Sequence, residues 1–124
     1  MIKWINVKAK TGVASLYANN ITLNTTAMYP FEPAYRVQVG IDDNGDIAIQ
    51  PLSQSVVESG DLDESCLLKI ERHKSFARIS SVSLMKQLSE SIGIKLSTTP
   101  VRFETSWDSE ENILTIHIKG EKQK

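Results

Sequence analysis

The densest group of chemically active side chains in this sequence is basic and falls within residues 69–78. Lysine or arginine fills four of these positions and histidine a fifth: Lys69, Arg72, His73, Lys74 and Arg78. The residues around them predict a strand, a turn and a second strand. Cations on such a hairpin could reach the phosphates of DNA, and salt would weaken each contact. The alternative is an ordinary solvated turn.

Other residue types that could carry chemistry lack suitable neighbours in the sequence. His73 and His117 are the only histidines, and Cys66 is the only cysteine. Neither Cys66 nor Glu104 nor Asp108 has metal-ligand spacing with His117, which we expect to face outward on the last strand. Cys66 is expected to be a small buried hydrophobe. There is no Ser/His/Asp order, CxxC or Gly-rich phosphate loop. We therefore expect no catalytic residue, metal or cofactor.

Composition sets limits on the kind of protein. The chain has 124 residues, a formal net charge of −1, 40% hydrophobic and 23% charged residues, as in an ordinary soluble globular domain. Any affinity for nucleic acid must then be local. No apolar run in the sequence approaches the ~20 residues of a membrane span. The first ten residues alternate as a strand would, and a cytoplasmic location is the default expectation.

Two stretches of the sequence predict β-hairpins with one apolar face each. In residues 100–119, Val101, Phe103, Thr105 and Trp107 alternate with polar residues, and a polar turn separates them from a second alternating run. Residues 33–52 repeat this pattern around the turn DDNGD at 42–46, whose Asn-Gly pair favours a tight hairpin and whose aspartates are explained by turn chemistry. We expect Trp107 to be buried, and Trp107→Ala to cost on the order of 3–5 kcal/mol.

Shorter elements are predicted around these hairpins. Strands are expected at 4–8, 13–17, 21–23, 67–70 and 76–80, with a turn at Lys10 to Gly12 in which the glycine is free to take positive φ. A short helix or turn follows Asn24. A longer helix, capped by Ser81 or Ser83, carries apolar residues at helical spacing and ends at Gly93 in a left-handed cap.

The order of elements predicts two pseudo-repeats. Each half has a strand, a short strand, a helix or turn, and a hairpin: residues 1–52 form the first, 53–65 a linker and 66–124 the second. The short strands align with an offset of 56 residues and the hairpins with an offset of 66, which places Arg36 on Arg102 and Ile47 on Ile113. The alternative is that any two hairpins would align this well. Both halves are expected to form one compact domain.

Four segments of the second half carry a family resemblance. They are residues 69–71 (KIE), 76–80 (FARIS), 84–94 (LMKQLSESIGI) and 103–118. In that order they resemble the first strand, the Gly-Arg-Ile-Thr-Ile-Pro-like run, the helix ending in Leu-Gly-Ile and the final hairpin of the AbrB/SpoVT/MazE family of bacterial transition-state regulators and antitoxins. The glycine before Arg78 and the proline after Ser80 are missing. Two such units in one chain would resemble the tandem arrangement of MraZ.

The resemblance implies a swapped-hairpin barrel, in which two units exchange strands and basic residues of the first strands and their loop approach DNA. We therefore expect a mainly β protein: an AbrB-like β-barrel of two pseudo-repeats, with one clear helix in the second half. The expected function is a small non-enzymatic regulator, a transcriptional regulator or antitoxin-like protein that acts as a homodimer or pseudo-dimer. The runner-up is a protein-interaction or assembly module on the same fold, and a small enzyme comes third. No membrane partner or small-molecule substrate is expected.

Overall fold

The structure, a computed structural model, describes residue 2 and residues 12–118. The predicted strand at 4–8, the Lys10 turn and the last residue of the second hairpin lie outside this range. The described residues form eight strands: β1 (Val13–Leu16), β2 (Asn20–Asn24), β3 (Arg36–Ile41), β4 (Ile47–Leu52), β5 (Glu71–Arg72), β6 (Phe76–Ser80), β7 (Val101–Asp108) and β8 (Ile113–Ile116). Three helices accompany them: α1 (Thr25–Met28), α2 (Gln54–Glu58) and α3 (Val82–Ile92). Two 3₁₀ turns cover Tyr29–Phe31 and Glu64–Cys66.

All eight strands belong to one curled, half-barrel sheet. Their order is β3-β4-β8-β7-β1-β2-β6-β5, and every neighbouring pair is antiparallel. The expectation of a mainly β fold is therefore confirmed. Just before β5, Leu68 forms a bridge to Val37 of β3, with reciprocal N–H···O bonds of 2.8 and 2.9 Å. The sheet therefore curls far enough to bring the segment just before one edge strand, β5, against the other edge strand, β3.

The long strand β7 joins two parts of the sheet. Its first four residues pair with β1, and its last four pair with β8. The Thr105 amide donates to the Gly12 carbonyl at 2.9 Å, and the His117 amide donates to the Glu104 carbonyl at the same distance, so both ladders meet at the middle of β7. The alternation of this strand therefore decides which side chains face inward in both parts of the sheet.

Most of the predicted elements are confirmed, with changes in detail. The hairpins are β3–β4 and β7–β8, and α3 has Ser81 as its N-cap and Gly93 at φ 73° as its C-cap. The strand predicted at 67–70 is wrong as a full strand, since only the Leu68 bridge forms before β5. The predicted linker 53–65 carries α2, whose N-cap Ser53 accepts a hydrogen bond from the Val56 amide.

The core lies on the concave side of the sheet. Its fully buried side chains come from alternate strand positions and include Leu16, Ile21, Leu23, Ile47, Ile49, Ile79, Leu114 and Ile116. Phe31, which follows α1, and Met85 of α3 are also buried. Burial of such side chains is the main source of stability in a domain of this size.

The expectation that Trp107 is buried is wrong, because it is only half-buried. It faces the core and meets Phe31 edge to face, with ring centroids 6.1 Å apart. However, β1 begins opposite Glu104, so within the described residues Trp107 has the β8 strand on one side and no strand on the other. We now expect Trp107→Ala to cost less than the ~3–5 kcal/mol that a fully buried tryptophan would.

Among the described residues, no helix combines the length and apolar character needed to cross a membrane.

Gly12 is required by close packing. A Cβ at this position would collide with the Thr105 hydroxyl and lie 3.2 Å from the backbone of Ala27. We expect Gly12→Ala to lower the free energy of unfolding by about 1–3 kcal/mol through overpacking. Gly40→Ala is the matched control, since a Cβ there has nothing within 4 Å. Urea denaturation followed by circular dichroism compares the two, and equal stability of both variants would contradict this packing.

Candidate functional site

The predicted basic residues lie on and beside one tight hairpin, β5–β6. Its turn, residues 73–75, is closed by a 2.8 Å hydrogen bond from the His73 amide to the Phe76 carbonyl. Lys69, Arg72, His73 and Lys74 are exposed. Arg78 is different: it lies within β6 and is only partly exposed. The structure thus brings the five residues onto one short segment, although only two of them are in the turn itself.

Two of the arginines have roles in holding the hairpin. Arg72 Nη1 donates to the Ala34 carbonyl at 2.9 Å, which ties β5 to the chain just before β3. The Arg78 guanidinium lies 5.1 Å from the centre of the Phe76 ring, and its Nε is buried without a hydrogen-bond partner among the described atoms. Both side chains keep further N–H donors, because a guanidinium carries five.

An aromatic stack stiffens the turn. The His73 ring lies on the Phe76 ring with centroids 4.4 Å apart and planes inclined by 20°. His73 Nε2 is also 3.9 Å from a carboxylate oxygen of Glu71. Glu71 therefore places one negative charge among the four cations, and the segment still carries a local excess of positive charge.

An exposed acidic stretch precedes this hairpin at residues 61–64. The Asp63 carboxylate accepts hydrogen bonds from the Ser65 hydroxyl at 2.7 Å and the Ser65 amide at 3.0 Å. These bonds favour the charged form and lower the pKa of Asp63. The basic segment 69–78 is therefore separated by only four residues from a segment of opposite charge.

The two outlying arginines differ in their surroundings. Arg102 is exposed on β7. Arg36 is partly covered, because its guanidinium stacks 4.3 Å above the Tyr35 ring and donates to the Tyr35 carbonyl. Neither belongs to the β5–β6 hairpin.

A second cluster was missed by sequence reasoning. The Ser106 hydroxyl oxygen is 2.8 Å from His117 Nε2, and His117 Nδ1 is 3.9 Å from Asp46 Oδ2. Ser106 lies in β7, His117 directly follows β8, and Asp46 directly precedes β4, so the β7–β8–β4 register brings them together. The chain order Asp, Ser, His matches none of the three familiar chain orders of serine–histidine–aspartate catalytic triads. In addition, Asp46 is 60 residues from Ser106 in the sequence. Only the predicted outward direction of His117 pointed toward this cluster.

Asp46 is held by the turn that precedes it. Its side chain is almost completely buried, and its Oδ1 accepts a hydrogen bond from the Ile118 amide at 2.8 Å. The Asp46 amide in turn donates to the Asp42 carboxylate at 3.0 Å, as does the Asn44 amide at 2.9 Å. The expectation that turn chemistry explains the aspartates holds for Asp42, whereas Asp46 also links two strands.

Cys66 is exposed, so its expected burial is wrong. Within the described ranges, no group of three or more histidine, cysteine, aspartate or glutamate side chains is arranged to hold a metal ion.

Comparison of the chain with models of protein families, with curated proteins and with solved structures found no match.

The buried Asp46 carboxylate should contribute to stability through its bond to the Ile118 amide. We expect Asp46→Ala to lower the free energy of unfolding by about 1–3 kcal/mol, because a partly buried N–H then loses its acceptor. Asp43→Ala, in the same turn but exposed, is the control and should change stability by less than ~0.5 kcal/mol. Thermal unfolding of both variants is the measurement, and an unchanged midpoint for Asp46→Ala would show that the bond is not needed.

Proposed function

We propose that this chain is a small regulatory protein that binds DNA through the β5–β6 hairpin. The observation that carries the proposal is the group of exposed cations on that hairpin, with Lys69 and Lys74 free to extend toward phosphates and Arg72 held in place by Ala34. Phosphate contacts of this kind supply most of the affinity of non-specific DNA binding.

The strand pairing supports the finer fold proposal, a swapped-hairpin barrel made of two pseudo-repeats. The first four strands can be matched in order with the last four, β1 with β5 through β4 with β8. This match turns the β1–β2 pair into the β5–β6 pair and the β3–β4 pair into the β7–β8 pair. The pairs β2–β6 and β4–β8 map onto themselves, as they would across a two-fold axis. The β1–β7 pair would correspond to a pair between β5 and β3. Of that pair, only the Val37–Leu68 bridge beside β5 is found within the described residues.

Details of the turns and registers support the same proposal. The Tyr17 amide donates to the Asn20 carbonyl at 2.9 Å, and the residues 56 positions later, His73 and Phe76, make the same bond at 2.8 Å. Thr22 pairs with Arg78, which lies 56 positions later and is therefore the residue equivalent to Thr22 in the second half. Each half therefore contributes one tight hairpin of the same construction.

The hairpin alignment needs one correction. Ile41 pairs with Ile47, whereas Trp107, which lies 66 positions after Ile41, pairs with Leu114. Five residues lie between the first pair and six between the second, so the offset is 66 for the first strands but 67 for the second, which moves Ile47 from Ile113 onto Leu114. Both Ile47 and Leu114 are buried, whereas Ile113 is half-buried.

The two pseudo-repeats are unequal in charge. The first-half counterpart of the basic turn consists of Tyr17, Ala18 and Asn19, which carry no cation. Within the described residues, one chain therefore offers one basic hairpin, and a homodimer would double the phosphate contacts.

A DNA titration tests the proposal. At low salt, the wild-type chain should bind mixed-sequence duplex DNA, and log K should fall linearly with log salt concentration. Replacing both Lys69 and Lys74 with alanine should weaken binding and make this slope less steep by about two units, one for each lost contact. We choose these two residues over Arg72 and Arg78 because the arginines also contact Ala34 and Phe76.

Lys86→Ala combined with Lys95→Ala is the matched control. Both lysines are exposed and lie outside the hairpin, so this variant has the same net charge as the test variant. If both double variants lose affinity equally, binding comes from the overall charge and not from the hairpin. If the wild type does not bind at low salt, the DNA proposal fails and the protein-interaction module on the same fold replaces it.

A further inference from the structure

The Ser106, His117 and Asp46 cluster has the arrangement needed to activate a hydroxyl group. When His117 is neutral and carries its proton on Nδ1, the lone pair of Nε2 accepts a hydrogen bond from the Ser106 hydroxyl at 2.8 Å. Withdrawal of that proton by His117 turns a weak nucleophile into a reactive one. The serine and the histidine therefore already stand at the distance that general-base catalysis requires.

The Asp46 carboxylate favours this proton transfer. It lies 3.9 Å from Nδ1, with a side chain that is only 10% exposed, so the attraction to a protonated imidazole is less screened than on an open surface. The 2.8 Å bond from the Ile118 amide fixes the carboxylate on this side of the ring. Asp46 acts through His117 and is a positioning residue.

We propose that Ser106 is a nucleophile for acyl transfer from small activated esters, with His117 as its general base. The Ser106 oxygen attacks the ester carbonyl carbon, and its proton passes to His117 Nε2. The bond from the carbonyl carbon to the alcohol oxygen breaks, and the leaving group departs as an alkoxide or phenolate, or as the alcohol if His117 returns the proton. The product is an ester of Ser106, which water hydrolyses in a second step.

Access to the site defines the substrate class. Ser106 is exposed, and the His117 side chain is 36% exposed, so a small ester can approach from solvent. The group stands on the outward face of the sheet, where alternate residues of β7 are exposed. We therefore expect acylation by esters with good leaving groups, such as p-nitrophenyl acetate, and slow release of the acyl group.

The test is site-resolved acetylation of the full chain by p-nitrophenyl acetate. Peptide mass spectrometry should find Ser106 acetylated at least tenfold faster than Ser109, an exposed serine in the adjacent β7–β8 turn that serves as the internal control. The p-nitrophenolate burst should disappear in Ser106→Ala and persist in Ser109→Ala. Equal labelling of the two serines would overturn the proposal.

Variants of the other two residues separate catalysis from structure. His117→Gly should lower the Ser106 acetylation rate about 100-fold, the lower end of what a general base supplies. Added imidazole should restore labelling at Ser106, which it would not do if His117 served only to hold the fold. Asp46→Asn keeps an oxygen for the Ile118 amide but removes the charge, and should slow acetylation with an unchanged melting temperature. Labelling that is indifferent to both His117→Gly and Asp46→Asn would refute the assigned roles.

Discussion

The structure depends on the backbone pairing of β7 with two different partners. The chain from Val101 to Glu104 bonds to β1, and the chain from Thr105 to Asp108 bonds to β8. A shift of one residue in this strand would turn Phe103 and Trp107 outward and expose the polar residues between them to the core. The same register sets Ser106 diagonally across from His117. Packing and the Ser106–His117 contact of the second candidate site are therefore fixed by one set of hydrogen bonds.

The close approach of Gly12 to β7 and α1 belongs to the same constraint. Thr105 binds the Gly12 carbonyl, and the space beside Gly12 is filled by Ala27. Small residues at these two positions let α1 and the 3₁₀ turn after it reach the sheet, where Phe31 is completely buried and meets Trp107. This part of the core closes one end of the concave face without a long helix, in contrast to the second half, where α3 contributes Met85 and Leu88.

Much of the fold could be predicted from local patterns, and the second cluster could not. Alternation over two residues revealed both long hairpins, and the glycine at the end of α3 revealed its C-cap, because both signals depend on neighbouring residues. The one-residue difference between the hairpin turns shifted the predicted equivalence of Ile47, since turn length is not visible in alternation. The basic segment was predicted because its residues adjoin in sequence. Ser106 meets His117 across the β7–β8 hairpin, but Asp46 joins them only through the pairing of β8 with β4, a long-range register that no local pattern contains.

The Val37–Leu68 bridge has a consequence for the motions of the protein. Every other junction in the sheet is a ladder of at least two residue pairs, whereas this seam consists of one pair within the described range. Local opening needs the least free energy where the fewest hydrogen bonds must break. The curled sheet should therefore open locally at the Val37–Leu68 bridge before it unfolds elsewhere. Each opening would swing β5 away from β3 and strain the Arg72 bond to Ala34. The basic β5–β6 hairpin could then move relative to β3. The β1–β2 hairpin could not move in this way, because it is held between β7 and β6.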